Sequence, residues 1–541
     1  MPRLLAAALC LAGSICAAQH PAPIAPSAFS LADQIGHILS APDVARDHWG
    51  IYVTTLEGIP IYGLNEAQLF QPASNAKLFT TSAALALLGP DRTFTTRLVG
   101  SFSPKGHIVE GDLILLGAGD PNFDSQDLPY VAPAARPKSD PKHPAPHQPN
   151  PMRDINELVA QLVAKGITQI RGDVVGDDRL FPWEPYPQDW AIDDAVWGYG
   201  APVSALTIAD NQLRLEIAPS PVIGQPANVT LEQTVPYYVI LNQTSTVATR
   251  AESTGVQVER TVGSRTLRLY GSIALRDEPD VEHVAIEDPA EYAAMVLRAT
   301  LIEHGLTVSG TVRVNHRSPT DASGFLSSLR KDAPENPPSV SGTFDLNACV
   351  TEPLPPGFVT LASHTSQPLS ADIVLTNKVS QNLHAELLLH HLGRLAGCRD
   401  GSTLEGARAI RTFLTVNQID PEEFIFFDGS GLSGHDLVTP RATARLLSFA
   451  ATQPWFAVWR ASLPAAGEDG SLTSRFSQPP LKNHVFAKTG TLSEARALSG
   501  YLDAASGRTL IFSIMVGNHL PGTSADRAAM DQIVAAIQAT Q

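Results

Sequence analysis

Apolar residues at 49–63 fall into two short, β-branched runs on either side of Glu57 and Gly58. Such runs around a turn pair predict a β-hairpin. A stretch rich in Ala and Leu follows at 74–89, just after Pro72, and a Gly-Pro pair ends it. Proline ahead of an apolar run and glycine after it are typical helix boundaries, so we expect a buried helix here.

The central half of the chain has a different pattern. From about 95 to 350, short apolar runs alternate with turn residues, which predicts β-rich material. Proline-dense stretches at 131–151 and 330–342 disfavour helix and central strand and are typical of linkers. After about 355 helical periodicity returns, and two strand-like runs precede a closing helix. Helices and strands thus flank a long insertion, which indicates one discontinuous domain interrupted by one or two others.

Composition narrows the class of protein. The 541 residues are 43% hydrophobic, which is normal for a folded chain long enough for two or three domains. The formal net charge is -16 and no basic run appears. Because phosphate binding needs clustered Lys and Arg, nucleic acid is excluded as an expected partner.

Residues 1–18 have the pattern of a secretory signal peptide, with an early arginine, an apolar run and a pair of alanines. We expect cleavage after Ala18 and export to the periplasm. The apolar run is shorter than the roughly 20 residues of a membrane-spanning helix, and no other segment qualifies, so membrane attachment is expected to be peripheral at most. An oxidising compartment permits Cys349 and Cys398 to pair, and a disulfide and two free thiols both stay open.

Ser74 and Lys77 form a Ser-x-x-Lys pair at the start of the predicted helix. The i, i+3 spacing places the hydroxyl and the amine on one face. A serine becomes a good nucleophile when a neighbour takes its proton, and a lysine does so at neutral pH only if its pKa falls. The helix N-terminus and a second cation both disfavour the ammonium form, so we expect a lowered pKa at Lys77. The motif alone is weak, because Ser328 and Lys331 repeat it.

Two further motifs lie in the C-terminal half. Ser380 and Asn382 form a Ser-x-Asn triplet that opens an apolar helix. The hydroxyl can pass a proton to a leaving amine, and the amide can hold both Lys77 and a substrate carbonyl. Lys488 begins a Lys-Thr-Gly-Thr run on a predicted strand, where it can bind a substrate carboxylate and is expected to stay charged.

The residues after Lys488 add three candidate contacts. Thr489 can donate a hydroxyl hydrogen bond to the same carboxylate. Gly490 lets another backbone approach closely. The N–H of Thr491, together with that of Ser74, is suited to an oxyanion hole for a tetrahedral intermediate.

With these three motifs in this order, the sequence resembles the class C low-molecular-mass penicillin-binding proteins, the D-alanyl-D-alanine carboxypeptidase/endopeptidase group of the penicillin-binding protein 4 type. The resemblance covers nearly the whole chain after the signal peptide. It includes QPASNAKLFTTSAAL, GDLILLGAGDPNF, GDVVGDD, YGAPVSALTIADN, NKVSQNLHAELLL, DGSGLS, AKTGTL and LSGYL. The long gap between Ser74 and Ser380 is typical of this group, which carries extra domains between its first two motifs.

The resemblance implies an α+β fold. A transpeptidase/β-lactamase-like domain, with helices around an antiparallel sheet, would carry two inserted, mainly β domains, one nested in the other. On this basis we expect the following segments: the catalytic domain at 19–95 and 352–541, the inserted β domain at 96–116 and 216–351, and the nested insert at 117–215.

The resemblance also implies an activity and a set of roles. Ser74 would be the acylated nucleophile, Lys77 its base, Ser380 and Asn382 the proton relay, and Lys488 the carboxylate clamp. The substrates would be peptidoglycan stem peptides, cleaved at D-Ala-D-Ala termini or at D-Ala-diamino acid cross-links, and β-lactams such as penicillin would inhibit. No metal or organic cofactor is implied.

Substrate contacts are implied in two regions. This group uses an acidic residue and aromatics from an insert to grip the free amine of the stem-peptide diamino acid, and the matching positions are Trp190, Asp193, Asp194 and Tyr199. A solvated turn is the alternative for the two aspartates. Leu432, within DGSGLS, is the further candidate.

One position departs from the family pattern. The family usually has an arginine after DGSGLS that meets a substrate carboxylate, whereas this chain has Gly434 and then His435. Either another cation such as Arg441 takes that task, or the enzyme prefers an amidated or otherwise altered stem peptide. Asp428 and Ser430 are expected to shape the loop near the site.

Two other functions stay open: a β-lactamase-like hydrolase that shares the nucleophile, and a non-catalytic cell-wall-binding protein that retains the fold. A metal site is not expected at the histidines of one helical stretch, His384, His390 and His391. We expect them on the helix surface or in the core, because no carboxylate or cysteine lies at ligand spacing.

Overall fold

The computed structural model describes residues 30–103, 105, 107–125, 129–136, 152–320, 325–326, 356–395 and 400–541. Several predicted features lie outside the described residues, namely the signal peptide, both mature cysteines, the second Ser-x-x-Lys pair and most of the two Pro-rich stretches. None of the helices in the described part of the chain has the length and apolar character needed to cross a bilayer.

The helices bounded within the described residues are labelled α1 to α10 in chain order. They are Leu31–Leu39, Ala76–Leu87, Arg153–Ala164, Pro289–Glu303, Leu369–Leu375, Asn382–Leu395, Thr403–Val416, Pro440–Ala451, Phe456–Ser462 and Ala525–Thr540.

The strands within the same residues are labelled β1 to β20. They are His48–Thr55, Pro60–Leu64, Thr95–Ser103, Ile108–Leu116, Gln169–Ile170, Val174–Asp177, Gln212–Ala218, Asn228–Leu231, Val239–Val247, Gly255–Glu259, Thr266–Ala274, Asp280–Ala285, Thr307–Val308, Val312–Asn315, Val359–Thr365, Phe424–Ile425, Leu437–Val438, Val485–Leu492, Ala495–Asp503 and Thr509–Gly517.

A five-stranded antiparallel sheet joins the two ends of the chain, in the order β18-β19-β20-β1-β2. The predicted hairpin is β1–β2, and the predicted C-terminal runs form three strands, β18, β19 and β20. Apolar residues of α1 and α10 bury one face of this sheet, and those of α2, α6 and α8 cover the other. Because both faces are covered, most residues of β19 and β20 are buried. The predicted α+β fold, with helices around an antiparallel sheet, is confirmed.

Helix α2 is the central helix of the site. All of its residues from Ala76 to Leu85 are buried, the polar ones included. Its Ala-rich sequence allows close packing against α6, and Gly89 with a φ of 86° follows its end. The predicted buried helix is therefore confirmed.

The central part of the chain is rich in strands, as predicted. Five strands form the path β13-β5-β4-β3-β15 of a seven-stranded mixed sheet, to which β6 and β14 add parallel pairs. Two three-stranded sheets, β10-β11-β9 and β12-β7-β8, complete this region. The seven-stranded sheet takes strands from four separate stretches, 95–116, 169–177, 307–315 and 359–365. The domain boundaries given above remain a prediction.

Candidate active site

Ser74 lies in a tight turn, Ala73–Asn75, that leads into α2. Ala73 has a φ of 46°, a left-handed conformation that costs energy for a residue with a side chain and that clusters at functional sites. Asn75 anchors the turn on the sheet, because its Nδ2 donates to Ser499 Oγ at 2.8 Å. Ser74 itself is half-buried, so its hydroxyl is held in place at the edge of the packed interior.

Strand β18 runs directly against this turn. A Cβ built at Gly490 would lie 2.6 Å from the carbonyl oxygen of Pro72 and 3.2 Å from the backbone nitrogen of Ser74. Any side chain would therefore push the strand away from the serine. The prediction that position 490 needs glycine for a close backbone approach is confirmed.

Lys77 is completely buried, and its Nζ makes three hydrogen bonds. It donates to Ser74 Oγ at 3.0 Å, to Asn382 Oδ1 at 2.6 Å and to the carbonyl oxygen of Ser430 at 2.7 Å. Burial lowers the pKa of Lys77 to about 8, although nearby carboxylates raise it. The predicted direction is confirmed, but the main cause is burial rather than repulsion by a second cation.

The Ser-x-Asn triplet bridges the first and third motifs. Ser380 ends a π-helical turn, Thr376–Ser380, with a φ of 64°, and Asn382 then begins α6. Asn382 Oδ1 accepts from Lys77, as predicted, whereas Ser380 Oγ accepts from Lys488 Nζ at 2.9 Å. The structure thus brings the side chains of the three motifs into two hydrogen-bonded groups, one of Ser74, Lys77 and Asn382 and one of Ser380 and Lys488, which the short Ser-x-Asn segment joins.

Lys488 is fully buried on β18 and donates to Ser380 Oγ and to the carbonyl oxygen of Thr489, both at 2.9 Å. Burial, and after it the charge of Lys77, lower the pKa of Lys488 well below its usual value. The expectation that Lys488 stays charged remains a prediction, and the burial of its amine works against it.

The remaining motif residues face outward. Thr489 Oγ1 donates to Ser471 Oγ at 2.7 Å. Thr491 is exposed near the end of β18. Leu432 is half-buried, and its N–H donates to Ser430 Oγ at 3.3 Å.

Two buried carboxylates hold the loop that contacts Lys77. Asp428 accepts the backbone N–H groups of Ser430, Gly431 and Ser433 at 3.1, 2.6 and 2.7 Å. Glu386, on α6, accepts the N–H of Ser430 at 2.8 Å and that of the preceding glycine. These bonds aim the Ser430 carbonyl at Lys77, so the loop-shaping role expected for Asp428 matches its geometry.

Glu386 is the functional residue that the sequence analysis missed. Burial, and then the charge of Asp428, raise the pKa of Glu386 to about 8. Asp436 lies in the same group, accepts the N–H of Phe427 at 2.6 Å, and has its pKa raised well above the usual value, first by burial. Burial thus raises the pKa of two carboxyl groups in the neighbourhood of Lys77.

The segment 190–199 reaches the site. Trp190 Nε1 donates to Asp428 Oδ2 at 2.9 Å, and Asn382 Nδ2 donates to the carbonyl oxygen of Tyr199 at 2.8 Å. Tyr199 is 50% exposed and its hydroxyl donates to Asp194 Oδ1 at 2.8 Å. Asp193 is exposed beside this pair. The four predicted positions are therefore grouped at the edge of the site, and the side-chain NH2 group of Asn382 already has a partner in the free protein.

The position without the family arginine lies beside an acidic residue. A Cβ at Gly434 would lie 2.9 Å from Asp189 Oδ2, and His435 Nδ1 lies 3.4 Å from the same oxygen. Arg441, the alternative cation, donates through Nε to Glu423 Oε1 at 2.8 Å. Its guanidinium is thus already engaged by a carboxylate.

The three histidines of α6 are buried. His384 lies between Asp372 at 2.7 Å and Asp210 at 3.3 Å, and these carboxylates outweigh burial and raise its pKa to about 10. His390 and His391 contact backbone carbonyl oxygens. Of the two expected locations, the core is therefore the correct one for these three histidines. The sequence spacing did not reveal the two carboxylate partners of His384, because they come from distant parts of the sequence.

One group in the described residues brings three possible metal ligands together: Asp154, Glu157 and His364, with ligand atoms within 4.8 Å. Arg153 already donates to both oxygens of Asp154, at 2.7 and 3.1 Å. We assign no metal to this group.

The chain matches the model of the D-Ala-D-Ala carboxypeptidase 3 (S13) family over residues 31–330 and 347–540. It is 31% identical over 501 residues to the D-alanyl-D-alanine carboxypeptidase of Actinomadura sp. strain R39, covering 90% of this chain and 81% of that protein. It is 24% identical over 461 residues to the D-alanyl-D-alanine carboxypeptidase DacB of Haemophilus influenzae, covering 85% and 82%.

The fold is also that of a solved relative. The crystal structure of penicillin-binding protein 4 from Haemophilus influenzae superposes with a TM-score of 0.73 at 21% identity, over 92% of this chain and 97% of that one. The resemblance to the class C, penicillin-binding protein 4 type is confirmed. With most of its length matched by one family model, the chain belongs to the D-Ala-D-Ala carboxypeptidase 3 (S13) family.

Proposed function

We propose that this chain is a serine DD-peptidase that cleaves peptidoglycan stem peptides through an acyl-enzyme on Ser74. The observation that carries the proposal is the position of Lys77 Nζ, 3.0 Å from Ser74 Oγ and 2.6 Å from Asn382 Oδ1. A buried amine with a pKa of about 8 can take the proton of that hydroxyl near neutral pH. Membership in a family of D-Ala-D-Ala carboxypeptidases supports the substrate class.

In acylation, Ser74 Oγ forms a bond to the carbonyl carbon of the penultimate D-Ala while its proton passes to Lys77. The backbone N–H groups of Ser74 and Thr491 donate to the developing oxyanion. The C–N bond then breaks as the leaving amine takes a proton from Ser380, and the proton held by Lys77 restores that hydroxyl. The first product is the free amine, and the rest of the peptide stays esterified to Ser74.

In deacylation, a water molecule attacks the ester carbonyl and gives its proton to Lys77. The bond to Ser74 Oγ breaks, Oγ recovers the proton, and the shortened peptide leaves with a new carboxylate. Removal of a terminal D-Ala and cleavage of a cross-link differ only in the leaving amine. β-Lactams would acylate the same serine.

Binding of the substrate divides between two parts of the site. Lys488 and Thr489, on β18, would hold the C-terminal carboxylate of the substrate. Asp193, Asp194 and Tyr199 would hold the cationic amine of the diamino acid, because the acidic side chains attract its positive charge. We expect the protein to act after export, in the periplasm, without nucleic acid and with peripheral membrane contact at most.

Digestion of purified peptidoglycan, with products identified by mass, tests this proposal. Wild type should remove a terminal alanine from pentapeptide monomers, convert dimers to monomers, or both. Ser74→Ala should do neither, and Ser506→Ala, at an exposed turn serine, should behave as wild type.

Two results would favour the other functions. Equal processing by wild type and Ser74→Ala would contradict the proposal and support a non-catalytic cell-wall-binding protein. Rapid turnover of a chromogenic cephalosporin, without action on peptidoglycan, would support a β-lactamase-like hydrolase.

A further inference from the structure

The turn 469–471, between α9 and β18, connects two of the three motifs. Asp469 Oδ1 accepts from Lys378 Nζ at 2.8 Å and from the backbone N–H of Ala465 at 2.9 Å. Lys378 belongs to the same π-helical turn as Ser380. The Ser-x-Asn segment therefore fixes one end of the 469–471 turn through a nearly buried ion pair.

The middle of the turn is held from two sides. Gly470 has a φ of 56°, and a Cβ there would lie 2.6 Å from the carbonyl oxygen of Lys378. Its N–H donates to Tyr130 Oη at 2.9 Å. Only glycine allows this close contact, so the position of the next residue, Ser471, is fixed before any substrate arrives.

Ser471 lies beside Thr489 of β18, where the substrate carboxylate is proposed to bind. Ser471 is exposed, and its Oγ accepts a hydrogen bond from Thr489 Oγ1 at 2.7 Å. Lys488, by contrast, is fully buried and donates to Ser380 Oγ and to a backbone carbonyl. The hydroxyls of Ser471 and Thr489 are therefore adjacent and more accessible to a substrate carboxylate than the buried amine of Lys488.

Each hydroxyl carries one donor, and a carboxylate accepts on both oxygens. Two hydroxyl oxygens 2.7 Å apart are spaced to bond one oxygen each of the same carboxylate. Asp469 would repel that carboxylate if its charge were free, but Lys378 offsets it at 2.8 Å. The turn thus offers donors without a net negative charge.

We propose that Ser471 is a specificity-determining residue that binds the C-terminal carboxylate of the substrate together with Thr489. The inference rests on the proposed DD-peptidase function. When the carboxylate binds, the Thr489 hydroxyl leaves Ser471 and both hydroxyls donate to the substrate. A protonated Lys488, buried next to Thr489 in the sequence, would add its positive charge.

A pair of matched peptides tests the inference in the full-length protein. One ends in D-Ala-D-Ala with a free carboxylate, and the other is its C-terminal amide. For Ser471→Ala we expect kcat/KM to fall about 10-fold for the free acid, as for the loss of one hydrogen bond to a charged group, and less than about 2-fold for the amide. Ser471→Thr keeps a hydroxyl and should stay within about 3-fold of wild type on both peptides. Ser474→Ala, at an exposed serine in the same stretch, should change neither.

The ratio of the two kcat/KM values separates recognition from a general structural effect. Equal losses on the acid and the amide in Ser471→Ala, which leave the ratio of the two kcat/KM values unchanged, would overturn the inference. If wild type cleaves neither peptide and is not labelled by penicillin, the proposed function fails and this inference fails with it. If wild type cleaves both and Ser471→Ala matches it, only the role of Ser471 is overturned.

Discussion

Replacing Lys77 by arginine keeps a cation beside Ser74 but removes the neutral base. The Lys77 amine is buried 3.0 Å from the serine hydroxyl, and burial lowers its pKa to about 8. An arginine in the same place stays protonated at every pH in which the protein is folded. We therefore expect acylation of Lys77→Arg to be slow and nearly independent of pH.

The size of the effect follows from the population of the neutral amine. At pH 7, a pKa of about 8 leaves about 9% of Lys77 neutral, whereas the ordinary value of 10.5 would leave about 0.03%. Arginine, with a pKa above about 12, leaves less than about 0.001% neutral. The neutral base thus decreases on the order of 10⁴-fold, and general-base catalysis is typically worth 10²- to 10⁴-fold, so we expect acylation to slow by about that range.

Stopped-flow acylation by a fluorescent penicillin between pH 6 and 10 measures this directly. The second-order rate constant of wild type should rise with pH, because the base form accumulates, and should level off above a midpoint near pH 8. A thermal melt of Lys77→Arg controls for loss of the fold. Acylation of a folded Lys77→Arg at the wild-type rate, or a flat wild-type profile between pH 7 and 9, would refute the assignment of Lys77 as base.

Two further predictions concern buried charges. In Glu386→Gln the pH midpoint of acylation should move to lower pH, because the Glu386 carboxylate raises the pKa of Lys77. The plateau of the acylation rate should also fall, because an NH2 donor replaces one of the two oxygens that accept from the 429–430 N–H groups. A lower plateau without a shift of the midpoint would mean that Glu386 acts by structure alone. In His384→Ala two carboxylates lose their buried cation, so urea unfolding should show a loss of about 3–5 kcal/mol. The pKa of His384, raised to about 10 from 6.5, makes its stabilisation complete below pH 6.5 and lost as pH rises through 10, and a free energy of unfolding without that decline would contradict the ion pairs.

The reacting residues could be predicted because short-range patterns carry them. The i, i+3 spacing is sufficient to place Ser74 and Lys77 on one face, and their observed contact at 3.0 Å follows from it. Alternation and turn residues predicted β18 to β20 in the same way. Gly490 was predictable too, since glycine in a strand indicates that another backbone comes close.

Burial and long-range partners could not be predicted from the same patterns. The chemistry of Lys488 suggested a charged carboxylate clamp, and only the packing of β18 against the Ser74 turn shows that its amine is removed from water. Glu386 is one polar residue within an apolar helix, and its N–H donors lie 43 and 44 residues away. His384 has partners 12 and 174 residues distant. Such contacts depend on the tertiary fold and leave no local spacing to recognise.

The central claim is that Ser74 is the nucleophile activated by a buried lysine, and covalent labelling tests it most directly. Wild-type protein is incubated with penicillin, its intact mass is measured, and the modified peptide is mapped. We predict one penicilloyl group per chain, bound to Ser74, and none in Ser74→Ala. A folded wild type that remains unlabelled, or a label on any other residue, would contradict the account.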